Sequence, residues 1–468
     1  MLFPTLDFAL FFLAVFAAAW AARNRPEARK LLLLGASYVF YGYWDWRFCL
    51  LLFASSVINY GAGLLIEGAQ DPRRRRATLA MAVALNLTLL GFFKYFGFFV
   101  LSLNDLLFSL GFTRELPFLE IILPVGISFF TFQGISYVVD VHRGAVPAVR
   151  SPVDLLLYIS FFPQLVAGPI VRAAHFLPQL AVRPDPDRIL AAGGLLLILM
   201  GLFKKMVVAT WLATEMVDLV FLDPSFHGPV DLLLGIYGYA VQIYCDFSAY
   251  SDIAIGVAAL LGFRFQRNFD QPYRAGSLRE FWRRWHISLS AWLRDYVYIP
   301  LGGNRGGRLA TLRNLMVTML LGGIWHGAAW TFVFWGFLHG LGLAAERLLG
   351  GWGEAASPVR RALATLAVFH FVCLAWIFFR AESFDVALSY LAGFFQPGVP
   401  AGFATPFILA LLGIGFAMNF APAGSFARAA HGFGRLPAWM QGALVGVGIV
   451  AIDALGPAGV APFIYFQF

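Results

Sequence analysis

Charge is scarce in this chain. Of 468 residues, 13% are Asp, Glu, Lys or Arg and 60% are hydrophobic. Soluble domains carry roughly 25% charged residues, so a soluble globular fold is excluded and a multi-span membrane protein is expected. Cysteine is sparse as well. Cys49, Cys245 and Cys373 are odd in number and far apart, which excludes a disulfide framework and a cysteine zinc site. There is no H-E-x-x-H pattern, and His326 and His339 fall about 220° apart on a helical wheel, so no metal site is expected. Nor is there an internal repeat of the kind that paired transporter halves show. The first apolar run, 5–22, lacks a basic region before it and a small-residue cleavage site after it. It reads as a retained span rather than a cleaved leader.

What the chain does contain is a series of apolar stretches of the length that crosses a hydrocarbon core. They lie at 5–22, 31–47, 48–66, 78–101, 119–140, 189–221, 230–262, 360–379, 404–421 and 437–455. The run 314–345 exceeds one crossing and has basic flanks on both sides, so it is expected to double back at Gly322-Gly323 or beyond. The run 152–170 is short, broken by Pro163 and Pro169, and reads as re-entrant. The positive-inside bias puts the basic loops 23–30, 73–76, 143–150, 264–313 and 428–435 in the cytoplasm. Both termini are then extracytoplasmic.

Positive charge concentrates between 264 and 313, where ten arginines face Asp270, Glu280 and Asp295. No soluble fold is visible to present this patch to nucleic acid. One reading is a loop beside anionic lipid, worth about 1 kcal/mol per basic side chain. The other is a surface for an anionic cytoplasmic donor, such as a coenzyme A or phosphopantetheine carrier. Within it, 278–298 has helical spacing, with Phe281, Trp285, Leu289, Trp292 and Tyr296 on one stripe and Arg279, Arg283 and Arg294 off it. Such a helix lies at the interface or dips into the membrane, with His286 near the edge between water and apolar surroundings.

The other tryptophan–histidine pair, Trp325-His326, interrupts the apolar run 314–345. Ionisable groups at that depth are retained for a task or bonded to a neighbour. Gly322, Gly323 and Gly327 allow close approach, while Trp325, Trp330 and Trp335 form an aromatic wall. A neutral imidazole there can act as general base or as an acyl-carrying nucleophile. The plain alternative is a histidine hydrogen-bonded to a neighbouring helix, as for His339 and His370. Asp246 and Asp252 lie in the apolar run 230–262, where Gln242, Asp246 and Tyr250 share a face. They either orient a histidine or brace the interior, and the brace is favoured. Gln133 and Asp140 pose the same question. The segment 463–468, Phe-Ile-Tyr-Phe-Gln-Phe, reads as an interfacial aromatic anchor.

Several motifs resemble those of the membrane-bound O-acyltransferases. They are Trp285-His286-Ile-Ser-Leu-Ser, Tyr298-Ile-Pro-Leu-Gly-Gly-Asn304 and Gly323-Ile-Trp-His-Gly327. Tyr41-Gly-Tyr-Trp-Asp45, Pro124-Val-Gly-Ile-Ser-Phe-Phe-Thr-Phe-Gln133, Gln164-Leu-Val-Ala-Gly-Pro-Ile170 and Tyr244-Cys-Asp-Phe-Ser-Ala-Tyr-Ser-Asp252 support the match, which is best with the bacterial alginate O-acetyltransferase branch. The motifs run in family order over nearly the whole chain.

The resemblance implies an all-α polytopic membrane fold. It would be a ring of about 10–12 tilted helices, with re-entrant and interfacial helices, around a catalytic tunnel. It implies one membrane-embedded domain over 1–468, with its catalytic core at about 119–345. His326 takes the catalytic role and His286 that of its partner in the tunnel. Trp325, Gly323, Gly327, Trp285, Ser288, Asn304, Asp246 and Gln133 line or support that tunnel. In related envelope systems an aromatic terminal motif relays the acyl group, which makes Tyr465 a relay candidate.

The implied activity is passage of an acyl group, foremost acetyl, from a cytoplasmic thioester such as acetyl-CoA toward an extracytoplasmic polysaccharide such as alginate. No cofactor would be permanently bound. The implied partners are the acyl donor or its carrier, an extracytoplasmic esterase-like transferase, the polysaccharide and the bilayer of the bacterial inner membrane. D-alanyl transfer from a carrier protein to teichoic acid is the enzymatic alternative, and a non-enzymatic acyl-donor transporter the other.

Overall fold

Helix starts in this chain follow a local rule. Asp71-Pro72, Ser151-Pro152, Ser357-Pro358 and Thr405-Pro406 each set a capping oxygen before a proline at the first helical position. All four capping side chains accept a backbone N–H from the first turn. The computed structural model describes 1–468 apart from 113–115, 120, 187–189, 351–356, 397, 399, 460 and 465–468. All regular structure among the described residues is helical, and the chain is a multi-pass membrane protein. Among the described residues, seven helices are long and apolar enough to cross a membrane, or eight if one bent pair counts as a span. The chain divides into two units, 1–189 with 257–265, and 190–256 with 266–468.

The first unit contains α1 (Leu6–Ala21), α2 (Pro26–Gly42), α3 (Arg47–Gly68) and α4 (Pro72–Leu90). A π-helical turn at Gly91–Tyr95 leads from α4 into α5 (Phe96–Ser109), and α6 (Ile127–Arg143), α7 (Pro152–Ser160), α8 (Phe162–Leu165) and α9 (Ala173–Leu180) follow. Buried Asn59 and Asn86 join α3 to α4 by two reciprocal amide hydrogen bonds of 3.1 Å, the polar contact that holds helices together where hydrophobicity cannot. The expected span at 119–140 is helical only from Ile127. Gly126, at φ 78°, is the left-handed residue before its first turn, and a Cβ there would lie 2.5 Å from the Leu165 carbonyl oxygen. The broken segment at 152–170 consists of α7 and α8, parted at Phe161 and buried along most of their length.

The second unit opens with a long helix interrupted twice. α10 (Ala191–Leu202), α11 (Thr210–Leu212) and α12 (Asp218–Leu222) alternate with π-helical stretches at Phe203–Ala209 and Ala213–Val217. Next come α13 (Pro229–Leu260), whose last residues belong to the first unit, α14 (Leu278–Arg284), α15 (Ile287–Leu293), α16 (Gly307–His326) and α17 (Trp330–Leu349). The remainder is α18 (Pro358–Arg380), α19 (Phe384–Gly393), α20 (Pro406–Phe420), α21 (Ser425–Gly434) and α22 (Ala438–Leu455); α20 and α21 meet at 90°.

The run 314–345 does double back. α16 and α17 form an antiparallel hairpin that turns at 327–329, just beyond His326. Glycines bring the two backbones together: a Cβ on Gly323 would lie 2.3 Å from the Phe332 carbonyl oxygen, and one on Gly336 2.4 Å from that of Met319. Neither oxygen can step aside without moving its helix. Gly323→Ala and Gly336→Ala should therefore each destabilise the purified protein by about 1–3 kcal/mol. Gly322→Ala, whose Cβ would meet only Leu293 Cδ1 at 3.2 Å, should be milder. Thermal unfolding in detergent checks this order, and equal shifts for all three variants would refute the close-packing account.

Candidate active site

The stripe at 278–298 keeps its sidedness but not its continuity. Phe281, Trp285, Leu289 and Trp292 are buried, and Arg279, Arg283 and Arg294 are exposed. The expected single helix, however, breaks at Trp285 and His286. Trp285 is extended and His286 adopts φ 41°, ψ 56°, in the left-handed region that a β-carbon disfavours. A strap at 268–270 supplies the bonds that replace helix. Asp270 N–H donates to Arg284 O at 2.9 Å, and Ile287 N–H to Asn268 O at 2.9 Å. Ser288 donates from both N–H and Oγ to Asn268 Oδ1, at 3.1 and 2.9 Å, while Asn268 Nδ2 donates to Ser251 Oγ on α13 at 3.1 Å.

His286 is therefore not at the water edge that its stripe position suggested. It is fully buried, with Phe247 at 4.6 Å edge-on and Phe269 stacked at 6.3 Å between ring centroids. Burial pushes its pKa down to about 3, which leaves a neutral imidazole at physiological pH.

His326 is the last residue of α16 and is 2% exposed. Trp325 contacts both histidines, its ring centroid 5.6 Å from that of His286 and 5.1 Å from that of His326. Trp335 of α17 at 4.9 Å and Phe379 of α18 at 5.2 Å complete the aromatic surround of His326. Gly327 keeps the turn tight, since a Cβ there would lie 2.1 Å from the Phe332 ring. Trp330, expected in the aromatic wall, is instead 57% exposed.

The other histidines differ from this pair. His370 bonds the Tyr237 hydroxyl at 2.7 Å, the helix-to-helix role foreseen for it. His339 has no hydrogen-bond partner on either ring nitrogen among the described residues and lies among Trp335, Trp282, Phe281 and Phe371.

Asp246 and Asp252 of α13 each pair with a lysine rather than with tyrosines. Lys204 bonds Asp252 and donates to Ser248 Oγ at 2.8 Å, and Lys205 lies 2.7 Å from Asp246 Oδ1. The lysines were missed in the sequence, although two adjacent cations inside an apolar run are a visible signal. Asn268 was missed too; an asparagine between phenylalanines and arginines carries no signal of its own. Asn304 is exposed in the turn after Tyr298, outside the buried cluster. Gln133 lies on α6 in the first unit, buried, with no hydrogen-bond partner for its amide among the described residues. Tyr465 lies outside the described residues.

Two buried imidazoles therefore contact one indole within a helical membrane scaffold. Residues 145–384, which hold both histidines, match the profile of MBOAT, the membrane-bound O-acyltransferase family. The chain belongs to that family and is an acyltransferase. It is 45% identical over 401 residues to the protein named Probable alginate O-acetylase AlgI of Azotobacter vinelandii, covering 85% of this chain and 79% of the relative. Similarity extends to the Peptidoglycan O-acetyltransferase of Helicobacter pylori, at 37% over 82% of this chain and 76% of the relative. The Teichoic acid D-alanyltransferase of Bacillus subtilis matches at 28% over 56% of this chain and 69% of the relative.

Asn268→Ala should loosen the His286 turn, because it strips Ser288 of its acceptor and Ser251 of its donor. A loss of about 1–3 kcal/mol is expected for orphaning such buried groups, together with a fall in acyl transfer. Ser288→Ala, which leaves the backbone bond to Asn268 Oδ1, should lose less of both. Thermal unfolding and transfer assays on the two variants make the comparison, and an Asn268→Ala protein as stable and active as the parent would contradict it.

Proposed function

We propose that this protein is an inner-membrane O-acetyltransferase that takes acetyl from a cytoplasmic thioester and passes it toward an extracytoplasmic polysaccharide. The observation that carries the reading is the buried His286–Trp325–His326 arrangement in a chain so similar to an alginate O-acetylase. Alginate is accordingly the first acceptor to test. The lower identity and coverage of the D-alanyltransferase relative weigh against a D-alanyl donor, and an enzyme family weighs against a transporter.

The thioester is already activated, so the site needs to hold a hydroxyl against it, take up a proton and exclude water. In the proposed step, His326 accepts the hydroxyl proton as the oxygen bonds to the thioester carbonyl carbon. The tetrahedral oxyanion collapses, the carbon–sulfur bond breaks, and the imidazolium returns its proton to the leaving thiolate. His286, held neutral by burial, donates an N–H to the donor or to the developing oxyanion. The exposed Arg279, Arg283, Arg294, Arg305 and Arg308 give an anionic carrier such as coenzyme A its docking charge.

Tyr465 is proposed as the hydroxyl that first receives the acetyl group, with an extracytoplasmic esterase-like transferase completing delivery to the polymer. Both termini then lie outside.

Removing a general base lowers rates by about 10²–10⁴-fold. His326→Ala should insert and fold normally yet lose transfer by that factor. Retained transfer would reduce His326 to a structural residue. Purified protein given labelled acetyl-CoA should carry label on Tyr465, and Tyr465→Phe should abolish polymer acetylation without loss of folding. Full activity of that variant, or label on His326 alone, would sink the tyrosine relay.

A further inference from the structure

The π-helical stretch Phe203–Ala209 turns two successive lysines inward, leaving Lys204 3% and Lys205 1% exposed. Wide turns of this kind recur at functional sites. The two pairs they form are not alike. Lys204 is satisfied within its helix pair, by Asp252 and Ser248. The Lys205–Asp246 pair instead reaches to the main chain of 461–464. Lys205 Nζ donates to Pro462 O at 3.2 Å, and Asp246 Oδ2 accepts the Ile464 N–H at 3.0 Å.

Between those bonds Phe463 is wholly buried, its ring 4.1 Å from Tyr250 and 5.8 Å from Phe247. Phe247 is the ring that lies edge-on to His286 at 4.6 Å. A buried ion pair is weak as a source of stability, because desolvation offsets its attraction. Here each member of the pair makes a second bond to one short segment, and that segment packs on the wall of the histidine pocket.

We infer that the Lys205–Asp246 pair is a latch: its two members are positioning residues that hold 461–464 against Phe247 and Tyr250 and so fix the Phe247 ring that packs on His286. The functional half of this inference rests on the acyl-transfer reading above; the docking half does not.

The experiment places Ile464→Cys in protein whose Cys49, Cys245 and Cys373 are replaced by alanine. It measures the rate of labelling by a water-soluble maleimide in detergent. Lys205→Met/Asp246→Leu removes both main-chain bonds without leaving a lone buried charge, so the protein can still fold. Phe463→Ala loosens the segment with the pair intact.

In either variant the labelling rate should rise at least tenfold. The kcat for polymer acetylation should fall at least tenfold while the KM for the thioester holds. Unchanged labelling in both variants overturns the latch. Raised labelling with undiminished transfer overturns its positioning role, as does a loss confined to KM, which would assign the pair to the donor pocket. A parent protein that transfers no acetyl overturns the acyltransferase reading of the pocket, and the labelling rates then still decide the docking.

Discussion

The site depends first on how closely two backbones approach. Gly323 of α16 sits under the Phe332 carbonyl and Gly336 of α17 under that of Met319, with no room for a methyl group at either place. Side chains larger than hydrogen would part the helices, and the turn that ends α16 at His326 would lose its support. With the hairpin closed, His326 falls at its tip among Trp325, Trp335 and Phe379. In membranes, where apolar surface gains little by leaving lipid, such small-residue contacts are what hold helices together.

A second constraint follows from the apolar interior. Polar groups removed from water need partners, and the structure meets the need in two ways. Asn59 with Asn86, Lys204 with Asp252 and Lys205 with Asp246 satisfy one another directly. The two candidate histidines lie among aromatic rings as well, and burial keeps His286 neutral. A neutral imidazole shielded from water is the state a general base must start from. The strained backbone at His286 belongs to the same economy: Asn268 and its neighbours supply the hydrogen bonds that an unbroken helix would have made.

Much of the scaffold was legible in the sequence because the deciding forces are local. Apolar length marked most of the spans. The same reading recovered the sidedness of 278–298 and the doubling back after α16. It erred where a distant group intervenes. The segment before Ile127 is as apolar as a span, yet Gly126 is left-handed, with no room for a Cβ beside the Leu165 backbone, and the helix starts only after it. His286 sits on a good helical stripe, yet Asn268, some twenty residues earlier in the chain, pulls the backbone out of helix.

By itself, then, the sequence determined that this chain is a helical membrane protein and where most of its spans lie, and it singled out Trp285-His286 and Trp325-His326 as the candidate site. Those properties come from composition and from interactions within a turn or two of helix. Tertiary structure alone decided that both histidines share one indole, that Lys205 answers Asp246, and that 461–464 is held beside the pocket. Each of those outcomes joins residues far apart in the chain. No local preference favours such a meeting; it arises only when the packed helices bring those residues within reach of one another.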